Sequence, residues 1–107
     1  MFSHVMLGAN NIEESKVFYD ETLSALGARP GKLSLNHDGH TRYIYFVNNK
    51  NSFIISQPIN NQEATHGNGA TIGFNALSAD MVDEWYQAGK NAGGSDPELC
   101  DPPGIRE

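Results

Sequence analysis

Phe2-Ser3-His4-Val5-Met6-Leu7-Gly8 alternates two faces, with Phe2, His4 and Met6 on one and Ser3, Val5 and Leu7 on the other. A period of two is the signature of a strand. A related stretch comes later in the chain, Ala70-Thr71-Ile72-Gly73-Phe74. At a fixed offset of 67 residues Val5 falls on Ile72 and Leu7 on Phe74, while His4 falls on Thr71. The fold turns on whether these two stretches are copies of one unit.

The offset runs on past the strand without a gap. The N-cap Asn11 meets the N-cap Ser78, Phe18-Tyr19 meets Trp85-Tyr86, and Ala25 meets Ala92. Gly27 then meets Gly94, and Pro30 meets Pro97. Each pair shares one job: core residue, cap, aromatic on the inward helix face, C-terminal glycine, block to restarting the helix. Capping rules common to all strand-loop-helix units explain some of these pairs. A whole ungapped strand, helix and stop reads as an internal repeat.

Local signals fill in the rest. Glu14 follows Asn11 by three residues, a capping-box pattern, and a helix is expected from Ile12 to Leu26 with Ile12, Phe18, Tyr19, Leu23 and Leu26 inward. Leu33 and Leu35 alternate as in a short strand, and His37-Asp38-Gly39-His40 supplies an Asp-Gly turn. Thr41 to Val47 is the clearest strand, rich in β-branched and aromatic residues. Ser52 to Ser56 is a further strand, stopped by Pro58. After a polar connector, Ala70 to Asn75 is expected as a strand and Ala79 to Ala92 as a helix, with Val82, Trp85, Tyr86 and Ala92 inward. The tail from Glu98 is read as irregular.

The expected fold is α+β, a single domain of tandem βαβββ modules: residues 1–58, a connector 59–69, and an incomplete second module 70–107. By the same offset the second copy would close near residue 125, about 18 residues past Glu107. Open strand edges invite pairing, so a homodimer or swapped oligomer is expected.

Composition excludes several roles. The net charge is −6 and there is no basic run, so the footprint of a nucleic-acid binder is missing. No apolar run reaches membrane length, and an acidic surface is repelled by anionic membranes. One cysteine, Cys100, cannot form an internal disulfide, and a cytoplasmic setting is expected.

The opening Phe-Ser-His-Val-Met-Leu-Gly-Ala-Asn-Asn-Ile-Glu-Glu-Ser-Lys-Val-Phe-Tyr resembles the first strand and helix of the vicinal oxygen chelate superfamily, which holds glyoxalase I, bleomycin-resistance proteins and extradiol dioxygenases. Thr65 to Phe74 resembles the start of that family's second module, and Asp101 to Glu107 the loop before its last hairpin. The resemblance spans essentially the whole chain. It implies a curved sheet wrapped into a cup, with the helices outside. In the metalloenzymes of the family that cup holds one divalent ion, with ligands from the first and last strands of each module. His4 matches the first ligand position. Thr71 stands where metal-binding members carry histidine, and a neutral hydroxyl is a poor ligand for Zn²⁺, Ni²⁺ or Fe²⁺. Gln57 is at best a weak oxygen ligand, and one imidazole does not hold a catalytic metal.

The resemblance therefore implies a small-molecule-binding protein with a degenerate metal site and no resident cofactor, in the manner of a sequestering bleomycin-resistance protein. The competing readings are a metal-dependent lyase or isomerase resembling lactoylglutathione lyase, and an inactive remnant folding as a swapped oligomer. The ligand-binding set expected is His4, Met6, Tyr43, Tyr45, Phe53, Gln57 and Thr71, with His4 the one metal candidate. Tyr43 and Tyr45 share a face by alternation and are assigned to the cup, because a polar tip suits a wet cavity. His37 and His40 are read as turn-solvated, His66 as a loop residue, and Trp85 as core.

Overall fold

The computed structural model describes residues 2–46, 51–65 and 69–94. Six elements follow one another: β1 (His4–Gly8), α1 (Ile12–Ser24), β2 (Lys32–Leu35), β3 (Thr41–Phe46), β4 (Ser52–Ser56) and α2 (Ala79–Asn91). The strands form one open mixed sheet in the order β1-β4-β3-β2. β1 runs parallel to β4, and the β4–β3 and β3–β2 pairs are antiparallel. The α+β class read from the sequence is thus the observed one. No helix among the described residues is long and apolar enough to cross a membrane.

The α1 helix starts where Asn11 caps it, its side-chain oxygen accepting from the Glu14 N–H at 3.0 Å. Glu14 does not complete the box through the cap's backbone. Its carboxylate accepts instead from the Asn11 side-chain amide at 3.2 Å. The helix ends in a double bond pattern, Gly27 N–H to Ser24 C=O and Ala28 N–H to Leu23 C=O, with Gly27 left-handed at φ 94°. The α2 helix begins in the same way, the Ser78 hydroxyl accepting from the Met81 N–H. Both helices span 13 residues in step with the 67-residue offset. Their C-terminal caps fall out of step. The left-handed glycine after α2 is Gly93, not Gly94, which donates to the Gly89 carbonyl at 2.7 Å.

The core lies between the sheet and α1. Leu23, Tyr45 and Ile55 are essentially inaccessible, with Ile12, Leu26, Tyr43 and Phe53 around them. Burying side chains of this size contributes about 1.5–3 kcal/mol each. The α2 helix packs on α1, and contributes Met81 and Trp85 to the margin of the core with no fully buried residue of its own. Val82, Tyr86 and Ala92 are only half-buried there. At the helix–helix contact Thr22 is 1% exposed, and a methyl on Gly89 would lie 3.5 Å from the Thr22 methyl.

One expected strand is absent. Residues 70–75 run without ladder pairing. A strand exists through its partners. β1 is paired by β4, whereas no described strand lies alongside residues 70–75. Phe74 is nevertheless held by packing, its ring edge-on to Phe53 at 5.2 Å.

The joint between helix and sheet is Asp20. Its carboxylate accepts from the Tyr45 hydroxyl at 2.8 Å and the Gly31 N–H at 2.9 Å, and pairs with Lys16 one helical turn back. Gly31 has to be glycine, since a Cβ there would sit 2.6 Å from the Tyr45 ring. Burial pushes the Asp20 carboxyl upward, but the Gly31, Lys16 and Tyr45 donors outweigh it and hold its pKa below the usual value. A folded-state pKa below the unfolded one adds stability that is present above the unfolded pKa and lost as pH falls through the folded one. Asp20→Asn is therefore expected to lower the unfolding free energy at neutral pH by about 1–3 kcal/mol. It should also flatten the loss of stability in acid, as followed by urea denaturation from pH 7 to below the usual carboxylate range.

Candidate functional site

Residues facing each other across a ladder share a face, so the register assigns every strand side chain. Val5, Phe53 and Tyr45 make one row, and Leu7, Ile55, Tyr43 and Leu33 the next. This is the face that α1 covers. The opposite face carries His4, Ser52 and Phe46 in one row, then Met6, Ile54, Ile44 and Lys32, then Gly8, Ser56, Arg42 and Ser34. No described helix lies on that second face.

The expected orientation of the tyrosines is reversed. Tyr45 donates to Asp20 and approaches the Lys16 carbonyl at 3.2 Å. Tyr43 donates to the Glu13 carboxylate at 2.6 Å and lies under the Lys16 ammonium, 5.3 Å from its ring centre. Both phenol tips are spent on α1. Burial pushes the Tyr45 hydroxyl far above its usual pKa, and the Asp20 carboxylate adds to the effect. Phe53 is 4% exposed on the same covered side, against Tyr19 and Phe74. These three aromatics form the core beneath the helix and do not face the open side.

Gln57 is also engaged. Its side-chain oxygen accepts from the Thr41 N–H at 2.8 Å, while its own N–H donates to the Thr41 carbonyl. The side chain prolongs the β3–β4 ladder by one step. Thr71 is exposed in the stretch without ladder pairing. His4 and Met6 lie on the open face as expected, Met6 46% exposed and the His4 Nδ1 in contact with the Ser3 hydroxyl at 2.8 Å.

Sequence reading overlooked the other members of this face. Ile44 and Ile54 are half-buried, and Phe46 is 57% exposed. Arg42 is half-buried, and its Nε is buried with no hydrogen-bond partner among the described residues. The signal was available: once Tyr43 and Tyr45 are assigned to the helix, alternation sends Arg42, Ile44 and Phe46 to the other side.

The other histidines have structural surroundings. His40 reaches Asn61 with Nε2 at 2.9 Å and Asn36 with Nδ1 at 3.3 Å, joining the β2–β3 turn to the connector. His37 is exposed beside Asp38. His66 and Cys100 lie outside the described residues. A separate cavity of about 360 Å³ opens between the start of α1 and the end of α2, bordered by Asn11, Glu14, Phe18 and Gly93. It contains none of the residues singled out from the sequence for ligand binding.

Among the described residues, the donors expected from the sequence do not make a set for a catalytic divalent ion. His4 offers one imidazole, the Gln57 oxygen is occupied by a backbone N–H, and Thr71 is a neutral hydroxyl. Among the described residues no three His, Cys, Asp or Glu side chains converge. Catalytic zinc sites use three protein ligands drawn from such groups.

Comparison with known proteins agrees with this architecture. The family model described as Glyoxalase/Bleomycin resistance protein/Dioxygenase superfamily matches residues 1–98. A glyoxalase/bleomycin resistance protein from Albidiferax ferrireducens T118, known from its crystal structure, is 47% identical with a TM-score of 0.83. The match covers 99% of this chain and 82% of that one. No curated protein matches. With the family model matching most of the chain and a relative of known structure at 47% identity, the chain belongs to the glyoxalase/bleomycin resistance protein/dioxygenase superfamily.

Proposed function

We propose that this chain binds a small molecule on the open face of its sheet, and does so without a resident metal. One observation carries the reading: among the described residues, helix packing covers one side of the sheet only. Phe46 and Met6 stay exposed beside half-buried Ile44 and Ile54, next to polar His4 and Arg42. An apolar floor with a few polar groups at its margin is what small-molecule sites share. In this reading His4 and Met6 touch the ligand, Thr71 borders it, and Tyr43, Tyr45, Phe53 and Gln57 hold the floor from behind.

A neutral aromatic probe tests the location. Phenylbutanamide, titrated into labelled protein and followed by amide NMR, is expected to perturb Met6, Ile44 and Ile54, and Ile54→Lys to abolish the effect. Perturbations confined to the cavity between Asn11 and Gly93 would overturn the assignment.

The second reading, a metal-dependent lyase or isomerase, is favoured by the placement of His4 on the open face. Elemental analysis of the purified protein is expected to find no stoichiometric Zn²⁺ or Ni²⁺. One ion per chain, lost in His4→Ala, would replace the binding reading with the enzymatic one.

The protein also pairs with itself in this proposal, because β1 is an edge strand of an open sheet. Light scattering should give twice the chain mass of 11.7 kDa. A monomeric mass at high concentration would count against it. A single cysteine favours a reducing, cytoplasmic setting.

A further inference from the structure

The charges of this protein are sorted by element. The chain as a whole carries −6. Yet none of the four strands contains an aspartate or glutamate. The acidic residues described lie on α1 and α2, at Asp38 in the turn, and at Glu63 in the connector. The basic residues of the strands are His4, Lys32 and Arg42, and the register sends all three to the open face.

Two of them are neighbours. Lys32 stands opposite Ile44, and Arg42 opposite Ser34, so the two cations are diagonal partners on adjacent strands. Diagonal neighbours lie about 7–8 Å apart. Neither makes an ion pair among the described residues, and the buried Arg42 Nε has no acceptor there. The nearest open-face hydroxyls, Ser34 and Ser56, flank Arg42 on either side. The Ser56 hydroxyl already donates to the Gln57 carbonyl at 2.8 Å. Beside this polar end runs the apolar row of Met6, Ile54 and Ile44.

We infer that the ligand of the open face is an organic anion: an apolar body lying on Met6, Ile54 and Ile44, and a carboxylate or similar oxyanion held by Arg42 with Lys32 beside it. The inference rests on the open face being the ligand surface. Guanidinium is the group best shaped for an oxyanion, since its planar fork donates two parallel hydrogen bonds. A cationic ligand would meet like charge on this face, despite the negative charge of the protein as a whole. Lysine on an edge strand also discourages sheet-to-sheet pairing. Arg42 is on an interior strand, where that purpose does not apply.

Three probes with one apolar body separate the possibilities: phenylbutyrate, its neutral amide and phenylbutylamine. Amide NMR titrations of the whole protein at neutral pH are expected to rank them in that order. The carboxylate should bind about tenfold more tightly than the amide, in line with the strength of charge-assisted bonds. That preference should shrink as salt is raised. Arg42→Met, which keeps the apolar stem, should erase the preference by weakening the carboxylate far more than the amide. Arg42→Lys should restore part of it, and Lys32→Met should weaken it less than Arg42→Met. Equal binding of carboxylate and amide at Met6, Ile44 and Ile54 would overturn the anion assignment and leave the open-face reading standing. Tighter binding of the amine would overturn it as well. No perturbation of that face by any probe would overturn both.

Discussion

Everything in this structure depends on the contact between Asp20 and Tyr45. A helix can lie on a sheet at many angles and heights when only apolar surface joins them, because hydrophobic contact has no direction. The carboxylate removes that freedom. It takes one hydrogen bond from the middle of β3, one from the backbone at Gly31 on the way into β2, and an ion pair from its own helix. One side chain thus fixes helix, sheet and loop at a single point. Tyr43 and Glu13 repeat the arrangement further along α1. Polar groups half-sunk between layers are costly unless satisfied, and here they are paired.

That arrangement also explains how the site acquires its character. Placing both phenols under the helix settles the phase of β3, and the other residues of the strand follow. A one-residue slip would exchange the two faces, burying Arg42 under α1 and exposing the tyrosines. The composition of the open face is therefore a by-product of how the core is locked. Its cations go uncountered by acids from the strands, while on the helices Glu13, Glu14 and Asp80 complement the dipoles of the first turns.

Six elements were legible in the sequence, and the face that the β3 tyrosines take was not. β4 occupies the residues expected, and both N-caps use the side chains expected. Alternation says that Tyr43 and Tyr45 go together, but it is symmetric with respect to which side is covered. A helix with Lys16 and Asp20 on the side of its buried residues would have broken the tie, since such groups need polar partners from the sheet. The unpaired stretch at 70–75 was misread for a different reason. Strand propensity is local, whereas a ladder needs a neighbour. His4 and Met6 share one face of β1 by the same alternation, and the β4 register puts them beside Ser52 and Ile54.

The two helix ends carry one more consequence. Both helices begin in step, yet the glycine that turns the chain out of the second comes one residue early. One residue is about 100° of rotation around a helix axis. The two halves therefore enter their helices alike, and the left-handed turn that ends the second comes about 100° earlier around the axis. Whatever symmetry relates them is a symmetry of arrival and not of departure. A substitution that helps one half to continue its chain has no reason to help the other, and the two are free to diverge from that residue onward.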